Sequence, residues 1–268
     1  MLIFATYPVI AEKEDVYIIP VNGDIDRALT VFIRRSLEEA KTLEAETIII
    51  EINTFGGLVE SALQIATLIG NAEAETIAYV PAIPESTGVS WSAGALISFS
   101  ADKIFMAPGT SMGAAAPVYQ STEGMQAAEE KTVSAVRAQM AALAEKNGYP
   151  KAAALAMVDL DIELIEVEID GEIQLIDADE YEIMEQEIKK GRTISAAGKL
   201  LTLTSNEMLK YGISSGAPEN RTELITMLEI EAPNITEAVA STPDRLITVL
   251  TGSALTTILI MLGLGALY

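Results

Sequence analysis

Cysteine and histidine are both absent from the 268 residues, and these two zeros exclude the most. Without cysteine there is no disulfide framework and no thiol nucleophile, and without either residue no zinc finger or haem-type ligand set can be assembled. Without histidine there is no Ser-His-Asp triad and no imidazole base, so a hydrolase built on this chain must draw its base from Lys, Asp, Glu or the α-amino group. The lack of cysteine does not by itself identify a redox compartment. Positive charge is also scarce, with 17 Lys and Arg against 39 Asp and Glu and a net charge of −22. A nucleic-acid binder relies on a basic field, so that class is disfavoured, and anionic membrane surfaces should repel the soluble part. Disorder is excluded from the other side, because 50% of the residues are hydrophobic. The length suits one large domain, or one domain with a small appendage.

Both ends carry uncharged apolar runs. Met1–Ala11 (MLIFATYPVIA) is followed at once by Glu12, Lys13, Glu14 and Asp15, and it reads as a signal-peptide remnant that lacks its positive n-region. A first β-strand or a frayed terminus is the plainer alternative. Residues 246–268 (LITVLTGSALTTILIMLGLGALY) contain no charge over 23 positions. At 1.5 Å per residue that run spans about 34 Å, enough to cross a hydrocarbon core of ~30 Å as a transmembrane helix. Residues 231–245 read as the linker to it.

Between the ends, strand and helix patterns alternate. Val16–Val21 reads as a strand, Asp26–Leu43 as a helix with Ile33, Leu37 and Ala40 on one stripe, and Thr47–Ile52 as a buried parallel strand of β-branched residues. Leu58–Ile69 is helical, Thr76–Val80 a strand, Trp91–Ser100 helical, Lys103–Met106 a strand and Glu129–Lys146 a long helix. Strands separated by helices predict an α/β fold with mostly parallel pairing. Residues 158–176 instead alternate polar and apolar around Asp170-Gly171, which predicts an added β-hairpin rather than an acidic helix. Asn206–Tyr211 and Arg221–Glu229 read as short helices around a Gly212–Gly216 strand or turn.

Three pieces of the sequence carry chemistry. Asn53-Thr54-Phe55-Gly56-Gly57 joins the Thr47 strand to the Leu58 helix. Glycines at such a turn let backbone N–H groups face outward near the positive end of a helix, where they can stabilise an oxyanion. A plain tight turn reads the same way. Trp91-Ser92-Ala93-Gly94-Ala95 opens an apolar helix, and the small residues at 93–95 leave space around the Ser92 hydroxyl. A serine there also serves as an ordinary N-cap, and the stretch is not a G-x-S-x-G elbow. A serine nucleophile needs a base, and with no histidine a lysine lowered by ~3 units from its free value near 10.4 is the substitute. Of the ten lysines, Lys131 stands out at the head of the long helix, although Glu129 and Glu130 beside it equally suit a solvated lysine.

The ordered set Asn53-Thr54-Phe55-Gly56-Gly57, Ser92-Ala93-Gly94 and Ala107-Pro108-Gly109-Thr110-Ser111-Met112-Gly113-Ala114 resembles the NfeD-type membrane serine proteases, relatives of the Clp protease and signal-peptide-peptidase families. The resemblance also takes in the acidic hairpin, the segment 199–204 and the terminal apolar run, so it covers nearly the whole chain. It implies a Clp protease/crotonase-like spiral core and a Ser-Lys dyad of Ser92 and Lys131, which lie 39 positions apart. It implies an oxyanion hole from Gly56, Gly57 and Ala93, with no metal or other cofactor. The implied substrates are apolar peptide segments of membrane-associated proteins, such as stomatin-like proteins, and a homo-oligomer is expected. A cleaved signal and a single C-terminal span would put residues 12–245 outside the cytoplasm. The chain departs from the family pattern at Phe55, where proline is common, and at Trp91, where a small residue is usual. The full-length family carries further membrane helices and a small β-barrel domain that this chain lacks. Two other readings use the same fold: a catalytically silent scaffold of a stomatin-type assembly, and an acyl-CoA enzyme, the latter weakened by the expected membrane span.

Overall fold

A run of β-branched residues that is buried on every side chain, not on alternate ones, belongs to a strand covered on both faces. Thr47–Ile52 is such a run, and it forms the middle of a five-stranded parallel sheet. The computed structural model describes residues 14–240, apart from 85, 123 and 185–187. The chain begins with β1 (Asp15–Asn22), α1 (Arg27–Thr42), β2 (Thr47–Asn53), α2 (Val59–Gly70), β3 (Glu75–Val80), β4 (Val89–Trp91), α3 (Ala93–Phe99) and β5 (Lys103–Met106). It continues with β6 (Ser111–Gly113), β7 (Val118–Ser121), β8 (Gly124–Ala127), α4 (Glu130–Asn147) and α5 (Lys151–Val158). Then come β9 (Leu164–Ile169), β10 (Glu172–Asp177), α6 (Ala178–Met184), β11 (Lys189–Ser195), β12 (Thr202–Thr204), α7 (Ser205–Lys210), α8 (Arg221–Met227) and β13 (Asn234–Glu237).

The main sheet has the order β13-β1-β2-β3-β5, with Ile18 opposite Ile49 and Ile49 opposite Ile77. Helix α1 is opened by Asp26, whose carboxylate accepts from Leu29 N–H at 2.8 Å, and it lays Phe32, Ile33 and Ala40 on the sheet. Helix α2 does the same with Ala62, Ile65, Ala66 and Ile69. Every residue of α3 is buried, so this short apolar helix is a core element with no solvent face. Helix α4 packs against it, and α5, with its alanines buried, packs against α4. A smaller sheet, β12-β6-β4, joins the main one where Thr54 bridges Ser90, so the end of β2 lies beside the end of β4.

Three boundaries differ from the sequence reading. Trp91 is the last residue of β4, and the helix starts only at Ala93, because Ser92 breaks the backbone between them. The hairpin around Asp170-Gly171 is present, with φ of 53° and 84° as a type I′ turn requires. It starts at Leu164, because helix α5 continues through Val158, and β11 extends it to three strands. The stretch 231–245, read as a linker, contains β13, which pairs in parallel with β1 from Asp15–Asn234 to Ile18–Glu237. Arg221 secures it, donating to both carboxylate oxygens of buried Glu51 and, at 2.9 Å, to Glu237 of β13. The apolar runs 1–11 and 246–268 lie outside the described residues. Among the described residues no helix is long and apolar enough to cross a membrane.

Candidate active site

The turn after β2 is shaped by one buried hydroxyl. Thr54 Oγ1 donates to the Gly23 carbonyl at 2.6 Å and accepts from Gly56 N–H at 3.0 Å. The Gly56 carbonyl accepts from Ile25 N–H, and Leu58 N–H donates to the Ile25 carbonyl, a parallel bridge centred on Gly57. In such a bridge the central residue's own N–H and C=O face away from the partner strand. Gly57 N–H thus points off the β1 side, and it has no partner among the described residues. A side chain at Gly57 would lie 2.2 Å from the Ile25 carbonyl oxygen, so the bridge forms only with glycine.

Ser92 faces this turn. Its φ of 54° and ψ of −117° lie outside the regions an L-residue prefers, and a kink of this kind costs on the order of 1–3 kcal/mol. The backbone is held there by Ser92 N–H donating to the Gly113 carbonyl at 2.9 Å and by Ala95 N–H donating to the Ser92 carbonyl. The half-buried hydroxyl makes no capping bond to α3 and no hydrogen bond to any described residue, so the ordinary N-cap reading does not apply. A Cβ placed on Gly56 would sit 2.7 Å from Ser92 Cβ and 2.9 Å from Ser92 Oγ, with Ala93 N at 3.6 Å. Gly56 therefore leaves open the space beside the Ser92 hydroxyl. Ala93 N–H, at the first position of α3, has no acceptor among the described residues. The free Ser92 hydroxyl thus meets the Gly56 turn at the start of α3, with unpaired amides at Ala93 and at Gly57, the next residue of that turn, groups of the kind that hold an oxyanion.

Close packing beneath the site fixes these parts. A Cβ on Gly94 would meet Thr54 Cγ2 at 2.6 Å and Ser90 Oγ at 2.8 Å, and Ser90 Oγ is itself 2.9 Å from Ser98 Oγ. Above the site, Trp91 Nε1 donates to Ser111 Oγ at 2.9 Å, and the indole meets Phe55 edge-on, with ring centroids 5.5 Å apart.

Of the residues picked from the sequence, Ser92, Gly56 and Ala93 come together, and Gly57 follows next in the same turn. Lys131 does not join them. It is exposed in the first turn of α4, with no hydrogen bond or ion pair to any described residue, on the side of the helix away from buried Val136, Met140 and Leu143. The hairpin β7–β8 that leads into α4 pairs only with itself. Sequence reasoning gave no role to Thr54 or Gly113. A threonine two residues before an outward-facing glycine is the one signal that could have marked the first. A cleft of about 820 Å³ between the C-terminal ends of α1 and α2 is lined by Lys41, Glu44, Glu73 and Glu75 and contains none of these residues.

A family model described as NfeD1b, N-terminal domain, matches residues 15–186. The chain belongs to the NfeD1b family. Membrane protein NfeD1b of Bacillus subtilis is 36% identical over 250 residues, which cover 93% of this chain and 49% of that protein. Membrane-bound protease PH1510 of Pyrococcus horikoshii is 29% identical over 240 residues, 88% of this chain and 52% of that one. This NfeD1b-family chain thus spans about half the length of the curated relatives it matches. Among solved structures, the 1510-N membrane-bound stomatin-specific protease, as a lysine-to-alanine variant in complex with a substrate peptide, has a TM-score of 0.67 at 23% identity. The match covers 90% of this chain and 99% of that one. A serine-to-alanine variant of the same protease gives 0.63 at 22%, covering 85% and 99%. At these identities the likeness establishes a shared α/β fold.

Proposed function

We propose that this chain is a membrane-anchored serine endopeptidase domain with Ser92 as nucleophile and Lys131 as base. The observation that carries the reading is the strained Ser92, whose free hydroxyl lies against the Gly56 turn beside the unpaired amides of Gly57 and Ala93. Neutral Lys131 takes the Ser92 proton, Ser92 Oγ attacks the scissile carbonyl, and the Gly57 and Ala93 amides hold the oxyanion. The Lys131 ammonium then gives that proton to the leaving amine as the scissile C–N bond breaks, and the neutral amine so restored activates the water that releases the acyl-enzyme. The chemistry calls for no metal and no nucleotide. Because Lys131 is exposed here, the reading requires the first turn of α4 and the β7–β8 hairpin to fold over Ser92 when substrate binds, which also strips water from the amine. Two names support it: PH1510 is a membrane-bound protease, and the 1510-N relative, solved with serine and lysine each changed to alanine, is stomatin-specific. By extension the substrates are apolar segments of membrane-associated proteins of the stomatin kind. In this reading the core is the Clp protease/crotonase-like spiral, and the run 246–268 anchors it to a membrane with residues 12–245 outside the cytoplasm. Copies of the chain associate.

A scaffold of the same fold, binding without cleaving, is the second reading, and the exposure of Lys131, with no hydrogen bond to Ser92, favours it. The two separate in a cleavage assay on casein and on a stomatin C-terminal peptide, run with the full chain in detergent. The dyad requires cleavage by the wild type and loss in both Ser92→Ala and Lys131→Ala. Full activity in either variant rejects the dyad. No cleavage by a wild type that still assembles on membranes favours the scaffold.

A further inference from the structure

Phe55 immediately precedes Gly56 of the glycine turn, and Trp91 immediately precedes Ser92. The two aromatic side chains therefore flank the reacting centre from its two separate loops, and they touch each other there, edge to face at an interplanar angle of 73°. The indole is fixed in place, because its N–H is held by Ser111 Oγ. The phenyl ring is not covered: Phe55 is 61% exposed, and Leu58, on the far side of the two glycines, is 51% exposed. Large apolar side chains left in water on both shoulders of a glycine turn form an uncharged patch, in a chain whose surface is otherwise strongly acidic.

From this arrangement we infer that Phe55 and Trp91 form the subsite that selects a large apolar or aromatic side chain next to the scissile bond. The inference rests on the endopeptidase reading above. A peptide carbonyl seated between the Gly57 and Ala93 amides puts the flanking side chain within reach of both rings. A ring added to a T-shaped pair gains a favourable edge or face contact in addition to the area it buries, and the fixed indole gives up little freedom in making it. The preference for an aromatic over an alanine neighbour is about tenfold. Neither ring carries charge, so the preference is insensitive to salt.

The chain contains one tryptophan, so tryptophan emission, excited selectively over tyrosine, reports on Trp91 alone. Two measurements test the subsite. First, wild type, Phe55→Ala, Phe55→Leu and Trp91→Phe digest a proteome-derived peptide mixture, and mass spectrometry reads the residues beside each cut. The expected result is enrichment of large apolar residues for the wild type, loss of the aromatic preference in Phe55→Ala, and retention of only the aliphatic part in Phe55→Leu. Second, the Ser92→Ala protein and its Phe55→Ala derivative are titrated with N-acetyl-Ala-Ala-Phe-Ala-Ala-amide and with the all-alanine peptide while tryptophan emission is followed. Emission should shift with about tenfold tighter binding of the phenylalanine peptide, and the difference should vanish without Phe55. Cleavage with no large-residue preference, or with a preference unchanged in Phe55→Ala, overturns the subsite and leaves the protease reading standing. Absence of cleavage together with a Phe55-dependent emission shift removes the protease reading but keeps the patch as a peptide-binding site. No emission shift overturns the subsite.

Discussion

Thr54 is the buried pin of the site, and replacing it with valine isolates the contribution of its hydroxyl. Valine matches threonine in shape, so the methyl packing beside Gly94 survives. Two groups lose their partner: the buried Gly56 amide and the carbonyl of exposed Gly23. An unsatisfied buried donor costs about 1–3 kcal/mol, and the Gly23 carbonyl adds little because water replaces its lost bond, so the loss is about 1–3 kcal/mol in all. In urea, with a slope of about 1–3 kcal/mol/M for a domain, that is a fall of about 1 M in the unfolding midpoint at unchanged slope. Trp91 fluorescence follows the transition close to the site. The turn that aims Gly57 N–H is no longer fixed, and loss of one oxyanion donor typically costs 10²–10³ in turnover, so peptide cleavage should drop at least tenfold. Thr54→Ser keeps the hydroxyl and loses a methyl, about 1 kcal/mol, and should keep most of the activity. A valine variant as stable and as active as the wild type, or a serine variant as impaired as valine, would refute the role assigned to this hydroxyl.

Ser92→Gly should raise the thermal midpoint by relieving the positive φ, worth about 1 kcal/mol, while abolishing cleavage; a lower midpoint contradicts the strain at this residue. Arg221→Met leaves the carboxylate of Glu51 buried without its partner. Because Arg221 is itself 45% exposed, the loss is about 2–3 kcal/mol, less than the 3–5 expected of a fully buried pair, and Glu51→Gln in the same chain should restore part of it. Glu166 is held below its ordinary carboxylate range, first by the hydrogen bond from Lys210 and then by the one from Tyr211. Its stabilising effect is therefore complete above the unfolded value near about 4.3 and is lost as pH falls through the lower folded value. The difference in urea midpoint between wild type and Glu166→Gln should be present at neutral pH and shrink in acid, whereas a constant difference means that no titration of Glu166 is linked to folding.

The parallel core was open to reading because Thr47–Ile52 and Val16–Val21 carry their own signal, a buried β-branched run that needs no knowledge of the partner strand. The type I′ hairpin was equally local, written in Asp170-Gly171. What was not legible depends on distant residues. Strands β4, β6 and β12 have three residues each, too short for any period to show. Strand β13, NITE, owes its conformation to β1, which precedes it by more than two hundred positions. Within the site, Gly56-Gly57 stood out because glycine at a strand-to-helix turn is tied to backbone geometry, and Ser92 because small residues follow it at 93–95. Thr54 did not, because a threonine at the end of a strand is ordinary until its two bonds are seen. Lys131 shows the limit of spacing: 39 positions from Ser92 placed it at the head of α4 but said nothing of which side of the helix it would occupy.

Strands β1 and β13 run in the same direction, so the described chain begins at one end of this pair and leaves from the other. Tension between the two ends therefore slides the strands past each other instead of peeling them apart. The backbone bonds from Asn234 to Glu14 and from Ala238 to Ile18, the side-chain bond from Asn234 to Asp15 and the Arg221–Glu237 pair would all be stretched together. Such a seam yields only at high force, and its failure would release the sheet edge before the pull reached Thr54 and the glycine turn.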